Sequence, residues 1–168
     1  MAEYSIPTSA VSKVMIKIAQ NGFSNKAPKL LELGVNPSSS LILGSQSEAI
    51  LHIFAHLGDV STLGFLPGGR AKVDAGDNYG RTALTGGKNE VAKVLPSRGA
   101  DVNAIDTKGR TALYGAAGGG FTDTVRRLLS HNANITIRGG KKNETILERA
   151  RKNRRFPVIE LINARVKH

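Results

Sequence analysis

The chain has 168 residues, with 24 Lys or Arg against 13 Asp or Glu, a formal net charge of +11 and no Cys. That length suits one ordinary domain. The missing Cys excludes a disulfide framework, thiolate-bound zinc and thiol catalysis, and agrees with a reducing compartment. Aromatic residues make up 5% with no Trp, and hydrophobic residues 40%, so the core is built of small and aliphatic side chains, which favours thin stacked helices over a sandwich or barrel. No apolar run approaches the ~20 residues of a membrane span, and the start, MAEYSIPTSAVSKVMIKIAQ, lacks the basic n-region and long apolar core of a signal peptide.

In chain order the sequence reads as five units, spanning approximately 1–36, 37–73, 74–102, 103–135 and 136–168. The first is the faintest, carried by Met15, Ala19, Gly22-Phe23 and Leu30-Leu31 and closed by Leu33-Gly34-Val35-Asn36. The second opens on an enlarged loop, PSSSLILGSQS, followed by a helical segment with Leu51, Ala55 and Gly58. Gly64 and Pro67 then weaken its second helix, which is predicted to end at Leu66 because a Pro costs ~3 kcal/mol in a helix interior. In the third, Thr82-Ala83-Leu84-Thr85 runs straight into Gly86-Gly87-Lys88, and Pro96 shortens the helix that follows.

The fourth is the clearest. Thr111 is placed to cap a helix, Leu113, Ala116 and Ala117 share one face, Gly118-Gly119-Gly120 ends it, and Val125, Leu128 and Leu129 stripe a second helix from which Arg126 and Ser130 look outward. In the fifth, Thr145, Ile146, Leu147 and Ala150 mark one helix and Val158, Ile159, Leu161 and Ile162 another, with charged residues on the remaining faces, as a terminal capping unit requires. Leu51, Leu84, Leu113 and Leu147 set the period, at intervals of 33, 29 and 34 residues.

Asp106, Gly109, Thr111, Leu113, Ala116, Ala117, Gly120, Val125, Leu128 and Leu129 hold the positions of a pattern that resembles the ankyrin repeat, with Ala112 and Tyr114 where that family has Pro and His. The resemblance implies an all-α solenoid of stacked helix-turn-helix units with β-turn or hairpin fingers. Against the family pattern the third unit lacks about four residues, roughly the Ala-Ala turn of its first helix. A weak middle unit divides such an array, because each repeat touches only its neighbours, and a hinge or frayed patch is expected at Thr85–Asn89. Departures of this kind suggest a marginal array that a bound partner would order.

The resemblance further implies a non-catalytic protein-interaction module whose concave face is lined by turn tips and by residues after the Ala-Ala pair. Carried onto this chain, the partner-binding positions are Ser45, Gln46, Glu48, His56 and Leu57; Asn78, Tyr79 and Arg81; Thr107, Lys108 and Arg110; and Lys141, Lys142 and Glu144. Their charge balance is basic, which suits an acidic protein surface with Tyr79 as an anchor. The alternative for these positions is that they are ordinary solvated turn residues.

Other chemistry finds little support. His52 and His56 have the i, i+4 spacing of helical metal ligands, near Glu48 and Asp59, but no full ligand set is visible. The resemblance makes His52 a structural hydrogen-bonder. No nucleophile has a partner base, and the Gly118-Gly119-Gly120 run follows a helix and lacks the Lys-Ser/Thr of a P-loop. No catalytic residue, cofactor or metal is therefore expected.

Residues 138–168 hold ten Lys or Arg against three Glu. The cluster Arg149-Ala-Arg-Lys-Asn-Arg-Arg155 reads first as the solvated face of the terminal unit, with nuclear localisation, nucleic-acid binding or anionic-lipid binding as alternatives. Phe156, the one aromatic beside it, is expected to pack inward. The chain is expected to be a monomer of the cytoplasm or nucleus, with export from an intracellular bacterium into a host as a further route.

Overall fold

The computed structural model describes residues 17, 40–43, 46–58, 73–86 and 89–166. The first unit and the second helix of the second unit, with their Gly64 and Pro67, lie outside the described residues. What remains is a series of short helices joined by tight turns. Strands β1 (Ser40–Leu43) and β2 (Gln46–Ala49) precede helix α1 (Ile50–Leu57). After α2 (Asn89–Val94) comes a 3-10 turn, Pro96–Arg98. The fourth unit holds α3 (Ala112–Gly119) and α4 (Thr122–Ser130), and the fifth α5 (Ile146–Lys152) and α6 (Phe156–Val166).

The enlarged loop of the second unit is an antiparallel hairpin in the register Leu41 with Glu48 and Leu43 with Gln46. From α2 onward the helices pack as two layers. The first helices α3 and α5 pack together, as do the second helices α2 with α4 and α4 with α6, while α3–α4 and α5–α6 pair within their units. Of the four leucines that set the period, Leu51, Leu84 and Leu113 are buried in one core with Val91, Leu95, Val125, Leu128, Ile146, Val158 and Ile162, and Leu147 packs partly buried against it. No single unit could enclose these side chains, so burial is shared between neighbours and stability is a sum of unit and interface terms.

Thr residues open the first helices. The Tyr114 amide donates to Thr111 Oγ1 at 3.1 Å, and Thr145 forms a full capping box in which the Glu148 amide donates to its hydroxyl and the Thr145 amide donates to the Glu148 carboxylate. Thr82, at the same place in the third unit, has no helix to cap. The chain makes a single turn there, closed by the Thr85 amide to Thr82 O at 3.0 Å, and the buried Thr82 hydroxyl has no partner among the described residues. The lost turn is thus local, and α2 still docks, with Arg127 Nε of α4 donating to Asn89 Oδ1 at 3.0 Å. Gly87 and Lys88, at the centre of the expected hinge, lie outside the described residues. As expected from Pro96, α2 stops at Val94 and continues only as the 3-10 turn.

The turns between units are built on a buried carboxylate. Asp106 Oδ1 accepts from the Lys108 amide at 2.8 Å and the Arg110 amide at 2.9 Å, while Oδ2 accepts from Arg110 Nε at 2.7 Å. Gly109, at φ 68°, closes the turn. Asp77, Tyr79, Gly80 and Arg81 repeat the arrangement in the third unit. Neighbouring turns are then bonded through their backbones: the Thr107 amide donates to Tyr79 O at 2.9 Å, and the Gly140 amide to Lys108 O at 2.8 Å.

Burial by itself raises the Asp106 pKa, but the Arg110 guanidinium and the Arg110 and Lys108 amides outweigh it and hold the carboxyl below its ordinary value of 3.8. With the folded value below the unfolded one, the stability Asp106 contributes is fully present above about pH 4 and is lost as pH falls through the depressed value. The side chain is 2% exposed, so Asp106→Asn is expected to lower the unfolding free energy by about 1–3 kcal/mol at neutral pH. Urea melts of the two chains should converge in acid. A deficit that does not shrink there would show that the charge of the carboxylate contributes nothing.

Candidate functional site

Successive turns bonded edge to edge leave their tips in a row. Asn78 and Tyr79 are exposed at one tip, Thr107 and Lys108 at the next, and Lys141 and Lys142 at the third. Arg81 and Arg110 belong to the same turns but have a different role. Each guanidinium is held on the buried carboxylate four residues before it, Arg110 Nη2 at 2.6 Å from Asp106 Oδ2 and Arg81 likewise on Asp77. The Arg81 guanidinium also lies 5.2 Å from the centre of the Tyr79 ring and fixes that side chain from one face.

The third tip is built differently. An inserted residue lengthens it to Gly139-Gly140-Lys141-Lys142-Asn143-Glu144, closed by paired backbone bonds between Gly139 and Glu144. Gly139 stands where the earlier turns have their Asp. Only glycine fits there, since a Cβ would come within 2.6 Å of Gly109 O. Glu144 stands where they have Arg, so the charge at that place is reversed. Its carboxylate accepts from Lys152 Nζ at 2.8 Å and from the Tyr114 hydroxyl at 3.2 Å, with Arg149 Nη1 at 3.7 Å. The hydrogen bond from Lys152 is the main reason the Glu144 pKa is lowered.

Tyr114, in the family's His position, is buried, and the Arg149 guanidinium lies 5.4 Å from its ring centre. These groups line a cavity of about 340 Å3 together with Lys108, Arg110, Lys141 and Lys142. Lys108, Arg110, Lys141, Lys142 and Glu144 are expected on the recognition face from their positions in the repeat, whereas Arg149 and Lys152 fall in the basic cluster expected on a solvated helix face and Tyr114 marks only a departure from the repeat pattern. The available signal was the meeting of two departures from the repeat pattern, Tyr for His at 114 and Glu for Arg at 144.

The C-terminal basic cluster is divided by the fold. Arg149 and Lys152 turn toward the third tip, while Arg155 Nε at 3.3 Å and Asn153 Nδ2 at 2.8 Å donate to Gly118 O at the end of α3. Arg151 and Arg154 remain at the surface. Phe156 is 67% exposed rather than packed inward. It is the first residue of α6, whose buried face is carried by Val158 and Ile162.

Of the remaining sequence candidates, Ser45 and the side chains of Gln46, Glu48 and Leu57 lie outside the described residues. Gln46 and Glu48 are in β2. His56 is exposed on α1 and lines a separate cavity of about 450 Å3 with Gly86, Asn89, Phe121 and residues 122–124. His52 Nε2 donates to the Arg81 carbonyl, a bond that ties α1 to the next turn and assigns the imidazole a structural task. Among the described residues no group of three or more His, Asp or Glu is placed to hold a metal ion, and no helix is long and apolar enough to cross a membrane.

The repeated carboxylate-centred turns, the paired helices and the two-layer stacking define an all-α repeat fold. The family model for ankyrin repeats (3 copies) matches residues 85–167. That span of the chain consists of ankyrin repeats. No curated protein matches the sequence.

Burial raises the Tyr114 phenol above its ordinary pKa of 10.0, and the hydrogen bond to Glu144 adds to it, against the pull of Arg149 and Lys152. The stability linked to this proton is present below about pH 10 and is lost as pH rises through the raised folded value. An ultraviolet titration of the chain minus that of Tyr114→Phe is expected to show one phenol ionising above the ordinary range. A difference curve centred at or below the ordinary value would show that the contact with Glu144 is not made.

Proposed function

We propose that this protein is a recognition module that binds an acidic surface of a partner protein through the row of turn tips, a reading supported by the general role of ankyrin repeats in protein–protein interaction. One observation carries the reading: the tips are locked into a continuous row by the bonds Thr107 N to Tyr79 O and Gly140 N to Lys108 O. A rigid row needs little ordering on binding, which lowers the entropic cost of association. Tyr79, 45% exposed and braced by Arg81, supplies an aromatic anchor. Lys108, Lys141 and Lys142, which have no ion-pair partner among the described residues, supply positive charge that steers an acidic partner.

The division of the basic cluster supports this reading over nucleic-acid binding. Arg149, Lys152 and Arg155 are engaged within the fold, and base stacking would need aromatic rings interleaved with the cations, and the sequence from Arg149 to Arg155 contains none.

The test is affinity capture from lysate with the intact chain beside the triple variant Tyr79→Ala, Lys108→Ala, Lys141→Ala. Arg81 and Arg110 are kept, because they hold their turns together. A protein retained by the intact chain is expected to rebind when purified and to lose about tenfold or more in affinity for the variant, while the variant's melt is unchanged. Material held equally by both chains and released by nuclease or by higher salt would overturn the reading in favour of the C-terminal cations.

A further inference from the structure

The cavity beside the third tip is more cationic than recognition of an ordinary acidic side chain requires. Six cationic side chains line it and one carboxylate, Glu144, faces them. The cations fall into two groups. Arg110 is taken by Asp106, and Arg149 and Lys152 gather on Glu144. The ammonium groups of Lys108, Lys141 and Lys142 have no partner among the described residues, and all three belong to adjacent turns tied by the Gly140 N to Lys108 O bond.

Like charges gathered around one cavity repel, and solvent screening reduces that cost. The backbone imposes the cluster: Gly139 and Gly140 admit no side chain of their own, since a Cβ on Gly140 would meet the Tyr114 hydroxyl at 2.5 Å, so the third turn sits directly against the second. A monovalent carboxylate would neutralise one of the three ammonium groups. A phosphoryl group carries about −1.5 to −2 charge near neutral pH and three acceptor oxygens, and it suits a cavity lined by three such ammonium-bearing side chains. The volume of about 340 Å3 falls within the roughly 300–1,000 Å3 of small-ligand clefts.

We propose that the cavity formed by Lys108, Lys141 and Lys142 over Tyr114 is a phosphoryl-binding pocket that receives a phosphorylated Ser or Thr side chain of the partner protein. This deepens the recognition reading above and rests on it: the partner's acidic surface is in part made by modification. Lys108, Lys141 and Lys142 contact the phosphoryl oxygens. Glu144 keeps Arg149 and Lys152 folded back on Tyr114 and bounds the pocket on the helix side.

The probe is a fluorescent nonapeptide with a central phosphothreonine flanked by glutamates, measured by anisotropy against the same peptide carrying Thr or Glu at the centre. The phosphorylated form is expected to bind about tenfold more tightly than either. Lys141→Ala/Lys142→Ala is expected to abolish that preference, and Arg151→Ala/Arg154→Ala, which removes the same charge from the exposed part of α5 and the turn after it, to leave it intact. Equal binding of the phosphothreonine and Glu peptides, or equal loss in both double variants, would overturn the assignment and leave only general electrostatic attraction. Binding of phosphatidylserine vesicles that depends on Lys141 and Lys142, without any preference for the phosphopeptide, would overturn it in favour of a lipid headgroup. Phosphatase treatment of a captured partner separates this proposal from the one it rests on. Loss of binding on dephosphorylation supports the pocket, and a partner that still needs Tyr79 and Lys108 after dephosphorylation overturns the phosphoryl assignment while the recognition row stands.

Discussion

A buried carboxylate that bonds two amides and one guanidinium of its own turn is the constraint on which the rest of this structure depends. Asp106 is sealed from water, and a charge in that position is tolerable only because every lone pair it presents is met by a donor four residues away or fewer. That local saturation makes the turn rigid. Rigidity in turn lets the outer edge of one turn offer its carbonyl to the amide of the next, so the fingers stack as extensions of the helical layers. The same carboxylate therefore sets the shape of a single turn and the pitch of the row.

The third tip shows what happens when that arrangement is withdrawn. With Gly139 in place of the Asp and Glu144 in place of the Arg, the turn no longer organises itself from within. It relies instead on Gly109 O for close approach and on Tyr114, Arg149 and Lys152 for the anchoring of Glu144. The substitution of Tyr for the family's His has a clear physical counterpart here. A longer phenol reaches across the interface between repeats to a carboxylate that lies 30 positions later. The helix side of the cavity is thereby built from structural groups, and its free charge comes from the lysines of the tips.

The damaged third repeat illustrates how a solenoid absorbs a loss. Thr82 retains the residue type that caps α3 and α5, yet with the turn it would cap gone its buried hydroxyl has no partner among the described residues. The core residues on either side remain enclosed, and His52 and Arg127 reach in from the flanking repeats to bond Arg81 O and Asn89. Nearest-neighbour coupling confines the defect to the unit that carries it, which follows from the one-dimensional character of the array.

The sequence by itself determined the class of fold, the period, the helix caps at Thr111 and Thr145, and the shortening at Pro96, because each of these is a local interaction between residues a few positions apart. The first two turn tips were legible for the same reason, since Asp-x-x-Gly spacing marks Asp77 to Gly80 and Asp106 to Gly109. Only the tertiary structure decided which charges are available. Arg81, Arg110 and Lys108 look equivalent in sequence, but the two arginines are held by carboxylates and Lys108 has no such partner among the described residues. The five cations from Arg149 to Arg155 read as one cluster and are divided among a tip, a helix end and the surface. Phe156 looked like core and is exposed, because the pitch of α6 gives the buried face to Val158 and Ile162. The pairing of a side chain with a partner some 30 residues away depends on the stacking of whole repeats. No periodicity within a single repeat encodes it.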